Sequence, residues 1–119
     1  MTHRAPQLAK QIAKVKAALM KLQELRPGSL SQQYNVCGNP SCRCKASPPQ
    51  RHGPYYQLNY TRKGTGGTRF VKQAELKLVK HQIDSYARLR ALVDRWIDLG
   101  TKLADLELAA HRQSLERDS

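Results

Sequence analysis

The feature that most limits what this chain can fold into is a run of metal-type ligands. It reads Cys37-Gly-Asn-Pro-Ser-Cys42-Arg-Cys44, followed by His52. These are the only three cysteines among 119 residues. Thiolate and imidazole groups at short loop spacing can converge on one ion, and zinc prefers a tetrahedron of such ligands. The spacing Cys-x4-Cys-x-Cys-x7-His is not that of a standard finger, ribbon or knuckle. Gly38 and Pro40 are expected to supply the sharp turns of the loop. Structural zinc held by Cys37, Cys42, Cys44 and His52 is therefore the expectation. His81 or a ligand from a partner chain are the alternatives for the fourth position. Thiols without metal, a redox sensor and an iron–sulfur site are the competing readings, the last weakened by having three cysteines only.

An odd number of cysteines argues against a disulfide framework, and Cys42 and Cys44 stand too close in sequence to pair easily. No apolar run approaches bilayer length, and Met1-Thr-His-Arg-Ala-Pro leads into a Lys-rich segment, not a signal-peptide core. A reducing cytoplasm is expected, with nucleoid association when bound to DNA; there clustered thiols more often hold metals than form disulfides. Only 39% of residues are hydrophobic, with one Phe and one Trp. So small a supply of apolar surface calls for help from a metal, a partner or long helix packing.

Charge adds a second constraint. The net charge is +12, and it is confined to one part of the chain. Residues 1–72 hold thirteen Lys and Arg against a single acid, Glu24, while residues 73–119 hold eight of each sign. A one-sided excess of this kind is the footprint of a polyanion-binding surface, whereas a charge for solubility is usually interspersed. The same shortage of acids argues against catalysis. Zinc hydrolases and deaminases need a general-base carboxylate beside the ion, and residues 1–72 contain none but Glu24. A cysteine nucleophile would need an orienting third group as well as His52. The chain is expected not to be an enzyme and to have no small-molecule substrate.

Three segments follow from the patterning: 1–26, a basic amphipathic helix; 27–72, a metal loop with a β-hairpin; and 73–119, a long heptad-patterned helix. In the first, Leu8, Ile12, Val15, Leu19 and Leu22 recur at spacings of three and four, predicting a helix from about Gln7 to Leu25. Lys10, Lys14, Lys16 and Lys21 lie off that seam, and Arg26-Pro-Gly28 is expected to stop the helix. Ser29-Leu-Ser-Gln32 resembles a capping box and predicts a single helical turn. Tyr56, Leu58 and Tyr60 alternate with Tyr55, Gln57 and Asn59, the period of a half-buried strand. Arg62-Lys-Gly-Thr-Gly-Gly67 reads as the turn, and Thr68-Arg-Phe-Val71 as the returning strand. In the last segment Leu76, Val79, Ile83, Tyr86, Leu89, Val93, Trp96, Leu103, Leu106 and Ala110 form the seam, with Gly100-Thr101 as a point of kink or break. A helix of this length, about 60 Å at 1.5 Å per residue, exceeds what the first helix can cover. A homodimer formed along it is expected, a fraying tail being the alternative.

Around the loop and hairpin stand Arg43, Lys45, Arg51, Arg62, Lys63 and Arg69, with tyrosines interleaved. Arg and Lys suit phosphates, and Tyr55 is the tyrosine expected to face outward and meet nucleic acid. Glycines near the hairpin tip would allow a β-ribbon to enter a groove.

Leu25-Arg-Pro-Gly-Ser-Leu30, the run Cys37 to Cys44, and His52-Gly-Pro-Tyr-Tyr56 resemble a family of short prokaryotic proteins of unknown function, often encoded near transposases or other mobile-element genes. The resemblance spans roughly residues 25–95. It implies that Cys37, Cys42, Cys44 and His52 act together, and that the protein works around DNA. The expected fold is α+β and mostly helical. The expected function is that of a zinc-stabilised, double-stranded-DNA-binding homodimer linked to mobile elements or transcription. The alternative is an adaptor whose coiled-coil helix docks a recombinase or transposase. Single-stranded or structured RNA is a third possibility that the tyrosines permit.

Overall fold

The computed structural model describes residues 4–35, 38–46 and 50–118. The fold is α+β and mostly helical. Its elements, in order, are helix α1 (Arg4–Met20), strands β1 (Ser29–Asn35), β2 (His52–Arg62) and β3 (Thr65–Val71), and helix α2 (Leu76–Asp118). Contacts divide the chain into two compact units. One comprises Met1–Gln23 with Ala87–Ser119, the other Glu24–Tyr86.

The first unit is helical. Leu8, Ile12 and Val15 of α1 are buried together with Leu99 of α2, and Leu19, Leu92, Leu103 and Leu106 pack around them. This is the seam of α1 expected from its periodicity. Lys10, Lys14, Lys16 and Lys21 are all exposed. The helix ends at Met20, short of Pro27. Lys21 donates its amide to Ala18 and Leu22 donates to Leu19, three-residue bonds that tighten and close the last turn. On α2 the expected seam holds at Leu103 and Leu106 but not at Val93 and Trp96. Leu92 and Leu99 join the core, while Val93 is 37% and Trp96 38% exposed. A strict heptad drifts about 20° per repeat around a straight helix, so one seam cannot face the same neighbour along the whole of α2. Trp96 instead meets Lys16, whose Nζ lies 5.0 Å from the ring centroid. Gly100 causes no break: α2 runs on as one 43-residue helix. Thr101 Oγ1 donates to the Ile97 carbonyl at 2.7 Å, the back-bond typical of a threonine inside a helix.

The second unit is a three-stranded antiparallel sheet in the order β1-β2-β3, packed against the first turns of α2. The hairpin is present, but its turn is tighter than the glycine-rich run suggests. Arg62 pairs with Thr65, leaving Lys63-Gly64 as a two-residue turn with φ of 52° and 77°. Two successive left-handed residues match the strand twist, and Gly66 and Gly67 belong to β3. The third strand corrects the expectation of a helical turn at 29–34. Ser29–Asn35 pairs with β2 from Ser29↔Asn59 to Asn35↔His52, with an irregularity between Gln33 and Asn35. A short Ser/Gln stretch has weak helical preference, and the open edge of β2 satisfies its backbone along seven residues.

Sheet pleating sorts the side chains. Leu30, Tyr56, Leu58 and Val71 share the inner face and meet Leu76, Val79 and Ile83 of α2. Leu58 is only 2% exposed and lies at the centre of this core. Gly28, which leads the chain into β1, has φ 141°, and a Cβ there would lie 2.6 Å from Leu58 Cδ1. Only glycine fits at that point. Ser31, Gln33, Tyr55, Gln57, Asn59, Thr68 and Phe70 occupy the opposite face.

Candidate metal centre and basic face

The metal loop is shaped by side-chain bonding. Asn39 Oδ1 accepts from the Ser41 amide at 3.1 Å and from Ser41 Oγ at 2.9 Å, while the Asn39 carbonyl accepts from the Cys42 amide at 3.2 Å. An asparagine bonding to the chain two residues on is a standard turn former. Gly38 has no comparable steric role, since a Cβ there would meet nothing within 4 Å. A 3-10 turn, Arg43–Lys45, follows. Cys42 stands before its first residue, and the Arg43 carbonyl receives the amides of Ala46 and Gln50 at 3.0 Å each. That double acceptance folds the chain back towards the start of β2, where His52 sits.

The result is a cluster. Ligand atoms of Cys42, Cys44 and His52 lie within 4.8 Å of one another. Cys44 is buried at 1% exposure, whereas Cys42 and His52 are half-buried. Cys42 Sγ and His52 Nε2 are 3.1 Å apart. Zinc–ligand bonds of about 2.0–2.3 Å at tetrahedral angles separate neighbouring ligand atoms by roughly 3.5–3.8 Å. The three side chains fit that spacing with small adjustments and are close enough to hold a metal ion. Cys37 lies outside the described residues. His81, the alternative ligand, is exposed on α2 and does not belong to the cluster.

His52 is held in place by its neighbours. Gly53 has φ 137°, and a Cβ on it would come within 2.7 Å of the Gln33 carbonyl oxygen. The backbone after His52 thus runs tight against β1, which fixes how β2 begins.

The basic residues do not share one surface. Arg43 and Lys45 are exposed on the 3-10 turn, and Arg51 is exposed just before β2. Arg62 and Lys63 are exposed at the hairpin tip. Tyr55 is half-buried on the outer face of the sheet. Arg69 pairs with Leu58 and so belongs to the opposite, inner face, where it borders a cleft with Arg26, Glu75 and Gln82. Strand alternation separates Arg69 from Tyr55; proximity in sequence does not reveal this without the register. Phe70 is the residue the pattern alone passed over. It is 59% exposed on the outer face, opposite Gln57 and 6.3 Å from Tyr55 between ring centroids.

A family model described as Domain of unknown function (DUF6788) matches residues 5–81, and the chain belongs to that family. The match takes in nearly all of α1 and stops inside α2, so it begins and ends earlier than the span of 25–95 expected from the motifs. No curated protein and no solved structure matches the chain. No helix among the described residues is long and apolar enough to cross a membrane.

Proposed function

We propose that this member of the family is a nucleic-acid-binding protein whose basic segment is organised by structural zinc, with double-stranded DNA as its main target. The observation that carries the reading is one of coincidence. The unit that holds the Cys42–Cys44–His52 cluster also holds ten Lys and Arg against three acids. Zinc would be held by Cys42, Cys44 and His52, with Cys37 as the fourth ligand. The ion supplies no reaction; it ties the 3-10 turn to the start of β2. Arg43, Lys45 and Arg51 are then presented on a fixed loop, and Arg62 and Lys63 on a fixed hairpin tip, each available to phosphate oxygens. Arg69 adds charge from the other face. The expected setting is the cytoplasm and nucleoid, in the service of mobile elements or transcription.

A second copy of the chain is the proposed protein partner. Val93, Ile97 and Leu108 are exposed along α2, and Val93, Ile97, Gly100 and Ala104 line one shallow apolar groove with Trp96 and Thr101. That stripe continues the three-and-four spacing with Val93, Ile97 and Leu108 exposed, as a coiled-coil pairing requires, while Lys16 of α1 lies over Trp96 at its border. Heterologous docking of a recombinase or transposase on the same stripe is the alternative.

Titrating the purified chain into a short DNA duplex at several salt concentrations tests the reading. Affinity should fall steeply with salt, by a log–log slope near 4–5 if about five phosphates are neutralised. Weak binding with a slope near 1 would favour the adaptor. Native mass spectrometry with metal analysis on the same sample should give one zinc per chain in a dimer.

A further inference from the structure

The outer face of the sheet has features that phosphate binding does not use. Phe70, the only phenylalanine of the chain, stands 59% exposed near the end of the edge strand β3. Apolar rings of that size are normally turned inward, and the inner face of this sheet has a core to receive them. Register nevertheless places Phe70 outward, across from Gln57, with Tyr55 as its diagonal neighbour. The two rings are tilted by 50°, not stacked on each other. A stacked pair would consume the facing surfaces, whereas a tilted one leaves a π-face for a third ring.

Amides and hydroxyls surround the rings, tied into a ladder across the strands. Gln33 Nε2 donates to Gln57 Oε1 at 3.0 Å, and Asn59 Nδ2 donates to Ser31 Oγ at 3.1 Å. Thr68 Oγ1 approaches Asn59 Oδ1 at 3.5 Å. Each amide has four hydrogen-bonding positions, and these contacts use one or two, so donors and acceptors remain for an outside group. No acidic residue occurs anywhere from Leu25 to Ala74. Basic residues frame the hairpin instead: Arg51 ahead of β2, Arg62 and Lys63 at the tip, and Lys72 after β3, all exposed.

An exposed ring, flanking neutral amides and a basic rim match one ligand chemistry in particular: an unstacked nucleobase on a charged backbone. An apolar peptide would gain nothing from the rim, and a duplex hides its base faces in the stack. We propose that the outer face of the sheet is a stacking platform for single-stranded DNA, centred on Phe70 and flanked by Tyr55, Gln57 and Asn59. The proposal rests on the nucleic-acid reading and adds to it a preference for DNA that carries an unpaired segment. Phosphates on either side of the stacked base would meet the basic rim.

The test compares a blunt duplex with the same duplex bearing a short thymine overhang. The probes are titrated with the full chain and with F70A, F70L and F70W. Wild-type protein should bind the overhang DNA about 10-fold more tightly, the scale of one base stacked on an aromatic ring. F70A and F70L should erase that advantage and keep the blunt-duplex affinity, while F70W retains it. F70L preserves an apolar side chain without a π-face, and so separates stacking from loss of fold. Equal wild-type affinity for both probes would overturn the platform while leaving duplex binding intact. An F70L variant that keeps the advantage would overturn it too. Failure to bind either probe would sink the broader nucleic-acid reading, and the platform with it.

Discussion

The helical unit and the sheet unit contain buried clusters of similar modest size, assembled in opposite ways. In the helical unit, Leu8, Ile12 and Val15 recur along one face of α1 and meet Leu99, Leu103 and Leu106 along one face of α2. Each helix satisfies its own backbone, so the unit needs only that two apolar stripes meet. In the sheet unit, Leu58, Val71 and Val79 come from three different elements. None of the three strands is stable alone, and the end of β1 is joined to the start of β2 by the loop that carries Cys42 and Cys44. The difference teaches where the chain is vulnerable. The first unit depends on local periodicity, whereas the second depends on register and on two close glycine contacts, and it carries the Cys42–Cys44–His52 cluster.

The largest expected effect comes from breaking the proposed zinc staple. Structural zinc in small domains contributes on the order of 10 kcal/mol of folding free energy. Chelation, or the double change Cys42→Ser and Cys44→Ser, should therefore open the sheet unit. Hydrogen exchange should accelerate across 29–71 and remain slow in the middle of α1. Equal acceleration in both units would show that their stabilities are not separable.

Next in size is the core itself. Leu58→Ala removes a side chain that is 2% exposed, and a loss of about 2–5 kcal/mol is expected in denaturant unfolding. Met20, 85% exposed at the end of α1, should tolerate alanine within about 0.5 kcal/mol. If Leu58→Ala were as mild, the inner face of the sheet would not be a core.

Smaller again is the effect of the loop charges on binding. Replacing Arg43 and Arg51 by alanine should weaken duplex binding about uniformly across sequences and lower the salt slope by about 2, as two phosphate contacts are lost. An unchanged slope would move the interface away from the metal loop. The Lys10 and Lys14 pair of α1 is the control that sharpens the contrast, because exposed helix charges should add only diffuse attraction.

The smallest effect tests the helical unit. Gly100 sits inside α2, where a Cβ would find Trp96 Cδ1 at 3.7 Å, an ordinary contact. Gly100→Ala should stabilise the monomer by about 0.5–1 kcal/mol in thermal unfolding. If a second copy packs along the groove at Gly100 and Ala104, the same change should loosen the dimer in sedimentation. Stabilisation with no change in mass would place any self-association elsewhere.

Much of this architecture is legible in the chain before folding. An N-terminal helix, a hairpin, a long C-terminal helix and the clustering of Cys42, Cys44 and His52 all follow from spacing, whereas the end of the first helix at Met20 and the tight Lys63-Gly64 turn do not. Periodicity and ligand spacing are local, and local rules act on sequence directly. The third strand was not legible. Ser29–Asn35 carries no strong strand pattern and becomes a strand because β2 offers an edge. The outward placement of Phe70 and the inward placement of Arg69 were hidden for a related reason: each depends on which residue pairs with which across the sheet. A shift of register by one would exchange the faces of Phe70 and Arg69. Sequence by itself thus determined the two helices, the hairpin, the charge and the grouping of Cys42, Cys44 and His52. Tertiary structure alone decided which face each side chain occupies, because pairing between strands distant in sequence is settled by the shared core they bury.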